Sequence, residues 1–92
     1  MELVFKEDTK TKLVVDIKGE DTTLCNLLVR ELYQDSAVKY ASYAVEHPSA
    51  NIPTLFVETT SAKTPRKALL EAVERVKKVN DAFKKAFEKE LK

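Results

Sequence analysis

The sequence predicts an α+β fold, a single four-stranded sheet with two helices on one face and the element order β-β-α-β-β-α. Short stretches rich in alternating apolar or in β-branched and aromatic residues occur at four places and indicate strands. Two further stretches have apolar residues three and four positions apart, the spacing of amphipathic helices. At 92 residues without an internal repeat, the chain is expected to be a single domain over residues 1–92.

The first two strands are predicted to form a hairpin. Residues 3–5 are apolar, and Leu13, Val15 and Ile17 alternate with polar neighbours. The polar run at residues 7–10 lies between them and predicts the turn. Gly19 then ends the second strand.

Residues 23–34 predict the first helix, with Asp21 or Thr22 as the N-cap. At 100° per residue its apolar side chains cover an arc of about 240°, whereas a helix that packs on one sheet needs only a stripe of about 100°. Two surfaces of this helix are therefore expected to be buried, one against the sheet and one against another body.

Residues 38–45 and 55–60 predict the third and fourth strands, separated by a loop at 47–53 that contains two prolines. Thr64 is the predicted N-cap of the last helix, with Pro65 at its first position. Without a breaker this helix is expected to run from residue 65 to about 91, a length of about 40 Å. It would overhang the sheet, so that Phe83 and Phe87 need a second body to cover them.

The last helix has apolar residues at heptad spacing, with Asn80 in the same register. Asn80 either sets the register of a helix pair or marks where the seam leaves the interface. Both helices thus carry more apolar surface than one small sheet can hide. The predicted partner interface comprises Leu24, Leu28, Val29, Leu32, Tyr33, Leu69, Val73, Val76, Asn80, Phe83 and Phe87.

Composition argues against several other classes of protein. The 16 basic and 15 acidic residues give a net charge of +1, which provides no strong field for nucleic acid. One cysteine and one histidine provide neither an intrachain disulfide nor a zinc site. No segment has the pattern of a signal peptide or a membrane span, so a soluble, cytoplasmic protein without a cofactor is expected.

No residue is expected to be catalytic or to bind a metal. His47 has no second histidine or carboxylate cluster in its loop, so a turn or partner contact is favoured over a ligand. Glu20 and Asp21 are interpreted as residues of a helix start. Cys25 is interpreted as a buried packing thiol, and the lysines of the last helix alternate with acids, as on a solvated face.

Three motifs in register resemble one family. Residues 19–28 read GEDTTLCNLL, where the family has GEDHTLGNLL; residues 40–48 read YASYAVEHP, similar to FAxYxVPHP; and residues 64–72 read TPRKALLEA, similar to [ST]PxxALxxA. Together they resemble archaeal RNA polymerase subunit L along essentially the whole chain. The matching motif residues include Gly19, Glu20, Asp21, Thr23, Leu24, Asn26, Leu27, Tyr43, His47 and Pro48.

This resemblance implies the α-like dimerisation fold of RNA polymerases and a heterodimer with the larger α-like subunit, which is named D in archaeal polymerases. In that family the pair is the platform on which the large catalytic subunits assemble, and the small subunit is not catalytic. Thr22, Cys25 and Glu46 depart from the family pattern, where His, Gly and Pro stand. The absence of a long N-terminal extension favours the archaeal relatives. The isolated chain is expected to be marginal or to self-associate.

Two other functions are weaker alternatives. A stand-alone nucleic-acid-binding α/β domain would need a basic face with an aromatic sheet motif or a glycine loop, and the sequence has neither. A small enzyme of similar topology, such as a pterin-dehydratase-like domain, would need several histidines, and only His47 is present.

Overall fold

The computed structural model describes residues 2–18, 22–47, 52–76, 84, 85 and 87–89. The element order is the predicted one. The six elements are β1 (Glu2–Asp8), β2 (Lys12–Lys18), α1 (Thr22–Leu32), β3 (Val38–His47), β4 (Ile52–Thr59) and α2 (Pro65–Arg75).

The four strands form one antiparallel sheet in the order β1-β2-β4-β3. The register pairs Leu13 with Val57 and Val15 with Leu55 across the two central strands. Because side chains alternate between the faces of a strand, these four apolar residues lie on one face, and all four are buried. Both helices contact this sheet, and they also contact each other.

The first hairpin is confirmed, but β1 is longer than the apolar residues alone indicate. It continues through Asp8, and the turn is made by Thr9, whose hydroxyl accepts a hydrogen bond from the Lys12 amide at 3.0 Å. A bulge interrupts the register between Phe5 and Glu7. An edge strand pairs through its backbone and can carry polar side chains on both faces, so the polar end of β1 stays in the sheet.

The predicted loop at 47–53 is shorter in the structure, because β4 already begins at Ile52 and contains Pro53. Proline lacks the amide hydrogen that a ladder needs. The pairing of β4 with β2 reaches only as far as Thr54 opposite Asp16, so Pro53 faces β3 alone, opposite Val45. The sheet tolerates the proline at the end of the three-stranded region.

The last helix differs from the sequence prediction, which is wrong about its length. Thr64 caps it as expected, accepting a hydrogen bond from the Lys67 amide at 3.3 Å. However, α2 ends at Arg75, and Val76 has an extended backbone with ψ of 110°. Residues 84, 85 and 87–89 are again helical, and Phe87 is fully buried in the core.

Burial of Phe87 explains the break. A helix continued straight from Arg75 would carry residue 87 about 18 Å further along its axis. Burying a phenylalanine is worth about 1.5–3 kcal/mol, whereas one helical hydrogen bond is worth about 0.5–1.5 kcal/mol net. Burial of Phe87 in the core therefore favours an end of α2 at Arg75 over a straight continuation.

Candidate partner-binding surface

Several polar contacts among the described residues fix the helices relative to the sheet and to each other, and three of them involve Arg75, Lys63 and Tyr33. The first joins the C-terminal ends of α1 and α2. Arg75 donates from Nε to Glu31 Oε2 at 3.1 Å and from Nη2 to the Glu31 backbone carbonyl at 2.7 Å. Carbonyls in the last turn of a helix lack intrahelical partners, so the guanidinium both caps α1 and ties it to α2.

The second contact centres on Lys63, just before α2. Its ammonium binds Asp35 at 2.6 Å, and it also binds Glu71 on α2. The hydrogen bond from Lys63, followed by that from the Ala37 amide, holds the pKa of Asp35 below its ordinary value. The hydrogen bonds to Asp35 and then Glu71 hold the pKa of Lys63 above its ordinary value. This cluster joins the turn after α1 to the first half of α2.

The third contact joins Tyr33, the residue directly after α1, to the edge strand β3. The Tyr33 hydroxyl accepts a hydrogen bond from the Ala41 backbone amide at 3.0 Å. An edge strand presents unpaired amides that can pair with another chain, and Tyr33 occupies one of them. Its side chain remains 51% exposed.

On α1 the predicted interface residues divide into two groups. Leu28 and Leu32 are buried in the chain's own core, together with Cys25. Leu24 and Val29 are half-buried and pack against the edge of that core, as does Leu27. The wide apolar arc of α1 is therefore real, but its centre belongs to the sheet side.

On α2 the burial is more complete than the sequence indicates. Leu69 and Val73 are 0% exposed and Val76 is 4% exposed, so they have almost no surface to offer a partner in this arrangement. They share one core with residues of the sheet, of α1 and with Phe87, and their part in a partner interface stays a prediction. Leu70, which the heptad spacing passes over, is half-buried instead.

Phe87 also corrects the prediction, since it does not project beyond the sheet. Six other predicted residues lie outside the part of the chain that the structure describes, namely Gly19, Glu20, Asp21, Pro48, Asn80 and Phe83. His47 is the last residue of β3, where it pairs with Ile52. Tyr43 is half-buried against the core, opposite Leu55 on β4, and Asn26 and Thr23 are exposed on α1.

The partly covered apolar residues of the two helices, with the exposed Tyr33 directly after α1, are the candidates for contact with a partner, and we call this set the helix rim. It consists of Leu24, Leu27, Val29, Tyr33 and Leu70. Only Leu24, Val29 and Tyr33 were expected as interface residues. Leu27 and Leu70 could have been found from the sequence. Each is the sequence neighbour of a buried residue, Leu28 or Leu69, and so lies beside the buried stripe of its helix.

The opposite face of the sheet has a different character. Asp16 is buried there and accepts a hydrogen bond from the Thr54 hydroxyl at 2.6 Å, while Lys6 Nζ lies 3.3 Å from its other oxygen. Beside this pair, half-buried Val14 and Phe56 line a shallow depression of about 110 Å³ with Tyr40. Of the predicted interface residues that the structure describes, none lies on this face.

The described part of the chain offers no site for a metal ion. Within residues 2–18, 22–47, 52–76 and the five described beyond, no group of three or more His, Cys, Asp or Glu could hold one. Among the same residues no helix combines the length and apolarity needed to cross a bilayer. Cys25 is buried in the core, as predicted.

Comparison with known proteins identifies the family. The model of the RNA polymerase Rpb3/Rpb11 dimerisation domain matches residues 12–86, which include both helices. Subunit Rpo11 of DNA-directed RNA polymerase from Methanocella arvoryzae is 37% identical over 92 residues, covering 100% of this chain and 99% of the relative. Rpo11 from Pyrococcus furiosus is 38% identical, covering 94% of this chain and 95% of the relative.

A solved structure agrees with these sequence matches. The crystal structure of DNA-directed RNA polymerase subunit L from Thermoplasma acidophilum superposes with a TM-score of 0.72 at 28% identity, covering 97% of this chain and 87% of that one. The resemblance to archaeal subunit L is thereby confirmed, and so is the α+β fold class. The chain belongs to the RNA polymerase Rpb3/Rpb11 dimerisation-domain family.

Proposed function

We propose that this chain is a non-catalytic subunit of a DNA-directed RNA polymerase that pairs through its helix layer with the larger α-like subunit of the same enzyme. The pair then serves as the platform on which the large catalytic subunits assemble, in the cytoplasm of an archaeal cell. The observation that carries the proposal is the match of residues 12–86 to a domain family described by its dimerisation.

The structure supports the helix layer as the pairing side. Half-buried apolar residues of the helix rim lie on both helices, and Tyr33 adds a half-exposed ring. Aromatic and aliphatic side chains of this kind are the usual anchors of protein interfaces. The contacts of Arg75 and Lys63 hold the two helices in a fixed arrangement before any partner arrives, which lowers the entropy lost on binding.

The departures from the family pattern bear on this proposal. Cys25 replaces a family glycine, but its side chain is buried inside the chain. Its extra bulk is therefore accommodated in the core and does not project from α1 towards a partner. Pairing is expected to survive this substitution.

Co-expression with the larger α-like subunit from the same organism tests the proposal. A tag on that subunit should recover this chain, and size-exclusion chromatography with light scattering should give the mass of a one-to-one complex. Val14→Asp, on the opposite sheet face, is the matched control and should co-purify like the wild type. A folded chain that elutes alone in the presence of the folded larger subunit would contradict the proposal.

A further inference from the structure

One side of α1 faces away from the chain's own core and carries Arg30. This residue lies two positions from both Leu28 and Leu32, and so about 160° from each around the helix axis. Leu28 and Leu32 are 1% and 0% exposed, whereas Arg30 is exposed, as are Thr23 and Asn26. Because these three exposed residues are spaced three and four positions apart, they share one side of the helix. We call them the outer strip of α1.

The outer strip lies between two apolar flanks of the same helix. Leu27 borders it on one side, and Val29, with Tyr33 directly after the helix, borders it on the other. Leu27 and Val29 are both half-buried, and they lie about 160° apart around the axis. A partner that contacts both flanks must therefore lie across the strip and remove Arg30 from water.

The charge of Arg30 is not balanced within the described part of the chain. Other charged residues around the end of α1 have partners of opposite sign, since Glu31 binds Arg75 and Asp35 binds Lys63. Among the residues that the structure describes, none forms an ion pair with Arg30. A guanidinium that is buried without a counter-charge is costly. A partner that covers the outer strip therefore has to supply an acidic group.

We propose that a carboxylate of the larger α-like subunit binds Arg30 across the outer strip of α1. The planar guanidinium can hold a carboxylate through two parallel hydrogen bonds, which fix its orientation as well as its position. Apolar contacts at Leu27 and Val29 exclude water from this pair, and arginines in such surroundings are frequent hot spots of protein interfaces. The inference rests on the proposed function and names the group on the partner that this chain selects.

Arg30 also has a role that needs no partner. It is the basic residue in the last turn of α1, where the negative end of the helix dipole favours a cation. That role affects the stability of the isolated chain, whereas an interface pair affects how fast the complex dissociates. Stability and pairing are therefore measured on the same variants.

The test compares Arg30→Gln with Lys12→Gln in binding to the larger α-like subunit. Lys12 is an exposed cation on the opposite face of the sheet, beside Val14. Arg30→Gln should raise the dissociation constant at least about 30-fold, mostly through faster dissociation, because it leaves the partner's carboxylate buried without a counter-charge. Arg30→Lys keeps the charge but loses the forked geometry, so its affinity should lie between those of Arg30→Gln and the wild type. Lys12→Gln should bind like the wild type.

Urea denaturation of the isolated variants shows whether each chain is folded. A folded Arg30→Gln chain that binds as tightly as Lys12→Gln would overturn the inference and leave the proposed function intact. If Arg30→Gln does not fold, Arg30→Lys, which retains a cation at the helix end, decides in its place, and wild-type affinity in that variant overturns the inference. Failure of the wild-type chain to bind overturns the proposed function, and the inference falls with it.

Discussion

Arg75, the last residue of α2, binds Glu31 through both the side chain and the backbone of the last turn of α1. Its Nε lies 3.1 Å from Glu31 Oε2, and its Nη2 lies 2.7 Å from the Glu31 carbonyl oxygen. The planar guanidinium can make both bonds at once, which a lysine at this position could not do with the same geometry. The separation of the two helices is therefore fixed at their C-terminal ends by one side chain.

Removal of this contact should loosen the helix pair. Arg75→Ala is expected to lower the free energy of unfolding by about 1 kcal/mol, because the pair is partly exposed but also caps a carbonyl. Urea denaturation measures the loss, with Lys67→Ala on the exposed side of α2 as the control. Equal stabilities of the two variants would show that the contact contributes nothing to holding the helices.

The Tyr33 hydroxyl should protect the edge of the sheet. Tyr33→Phe keeps the ring but removes the acceptor for the Ala41 amide. Hydrogen exchange at Ala41 is expected to accelerate about 5-fold, since the amide loses its partner while the strand remains paired with β4. Tyr40→Phe, which alters the other half-exposed tyrosine, should leave the Ala41 exchange rate unchanged.

Two adjacent residues of α1 should separate folding from pairing. Leu28→Asp places a charge in the core and is expected to cost more than about 3 kcal/mol, unfolding the isolated chain. Val29→Asp places the charge on the helix rim and should leave a folded chain whose affinity for the larger α-like subunit falls at least about 10-fold. Circular dichroism checks the fold and titration calorimetry the affinity. Undiminished binding by a folded Val29→Asp chain would exclude this flank of α1 from the interface.

Acid should weaken the link between the turn after α1 and the start of α2. Lys63 lowers the pKa of Asp35 from its ordinary value of 3.8 in the folded state. A carboxyl with a lowered folded pKa stabilises the protein fully above its unfolded pKa, and this stabilisation is lost as the pH falls through the folded value. Asp35→Asn should therefore be less stable than the wild type at pH 7.

The difference between Asp35→Asn and the wild type should shrink as the pH falls below 3.8, the unperturbed value. Urea midpoints measured from pH 7 downwards report it. Ser36→Ala, a neighbour without a titrating group, should show a constant difference over the same range. A constant difference for Asp35→Asn as well would mean that the Lys63 contact does not perturb Asp35 in solution.

The sheet and α1 could be predicted from the sequence because their signals are local. The alternation at Leu13, Val15 and Ile17 reports one buried face, and all three are buried. Thr64 and Pro65 predict the start of α2 from residues adjacent in the chain. The position of Pro53 inside β4 could not be predicted, because a strand accepts a proline there only if the pairing of β4 with β2 ends before it.

The end of α2 could not be predicted either, because no local signal marks it. The spacing of Leu69, Val73, Val76 and Phe87 indicates only that these residues share a face of a helix. It does not indicate whether that face is covered by another chain or by the same chain folding back. Phe87 resolves this in the isolated chain through a contact with residues distant in sequence, which heptad spacing cannot reveal. The burial of Leu69 and Val73 inside the chain's own core could not be predicted for that reason.

The helix layer, and not the open face of the sheet, is expected to receive the partner. Hydrogen exchange footprints of the chain alone and in complex with the larger α-like subunit test this most directly. We predict slower exchange in the complex along α1 and α2, around Leu27, Val29 and Leu70, with no change at Val14 and Phe56. Protection confined to Val14, Phe56 and their neighbours on the sheet would contradict this assignment.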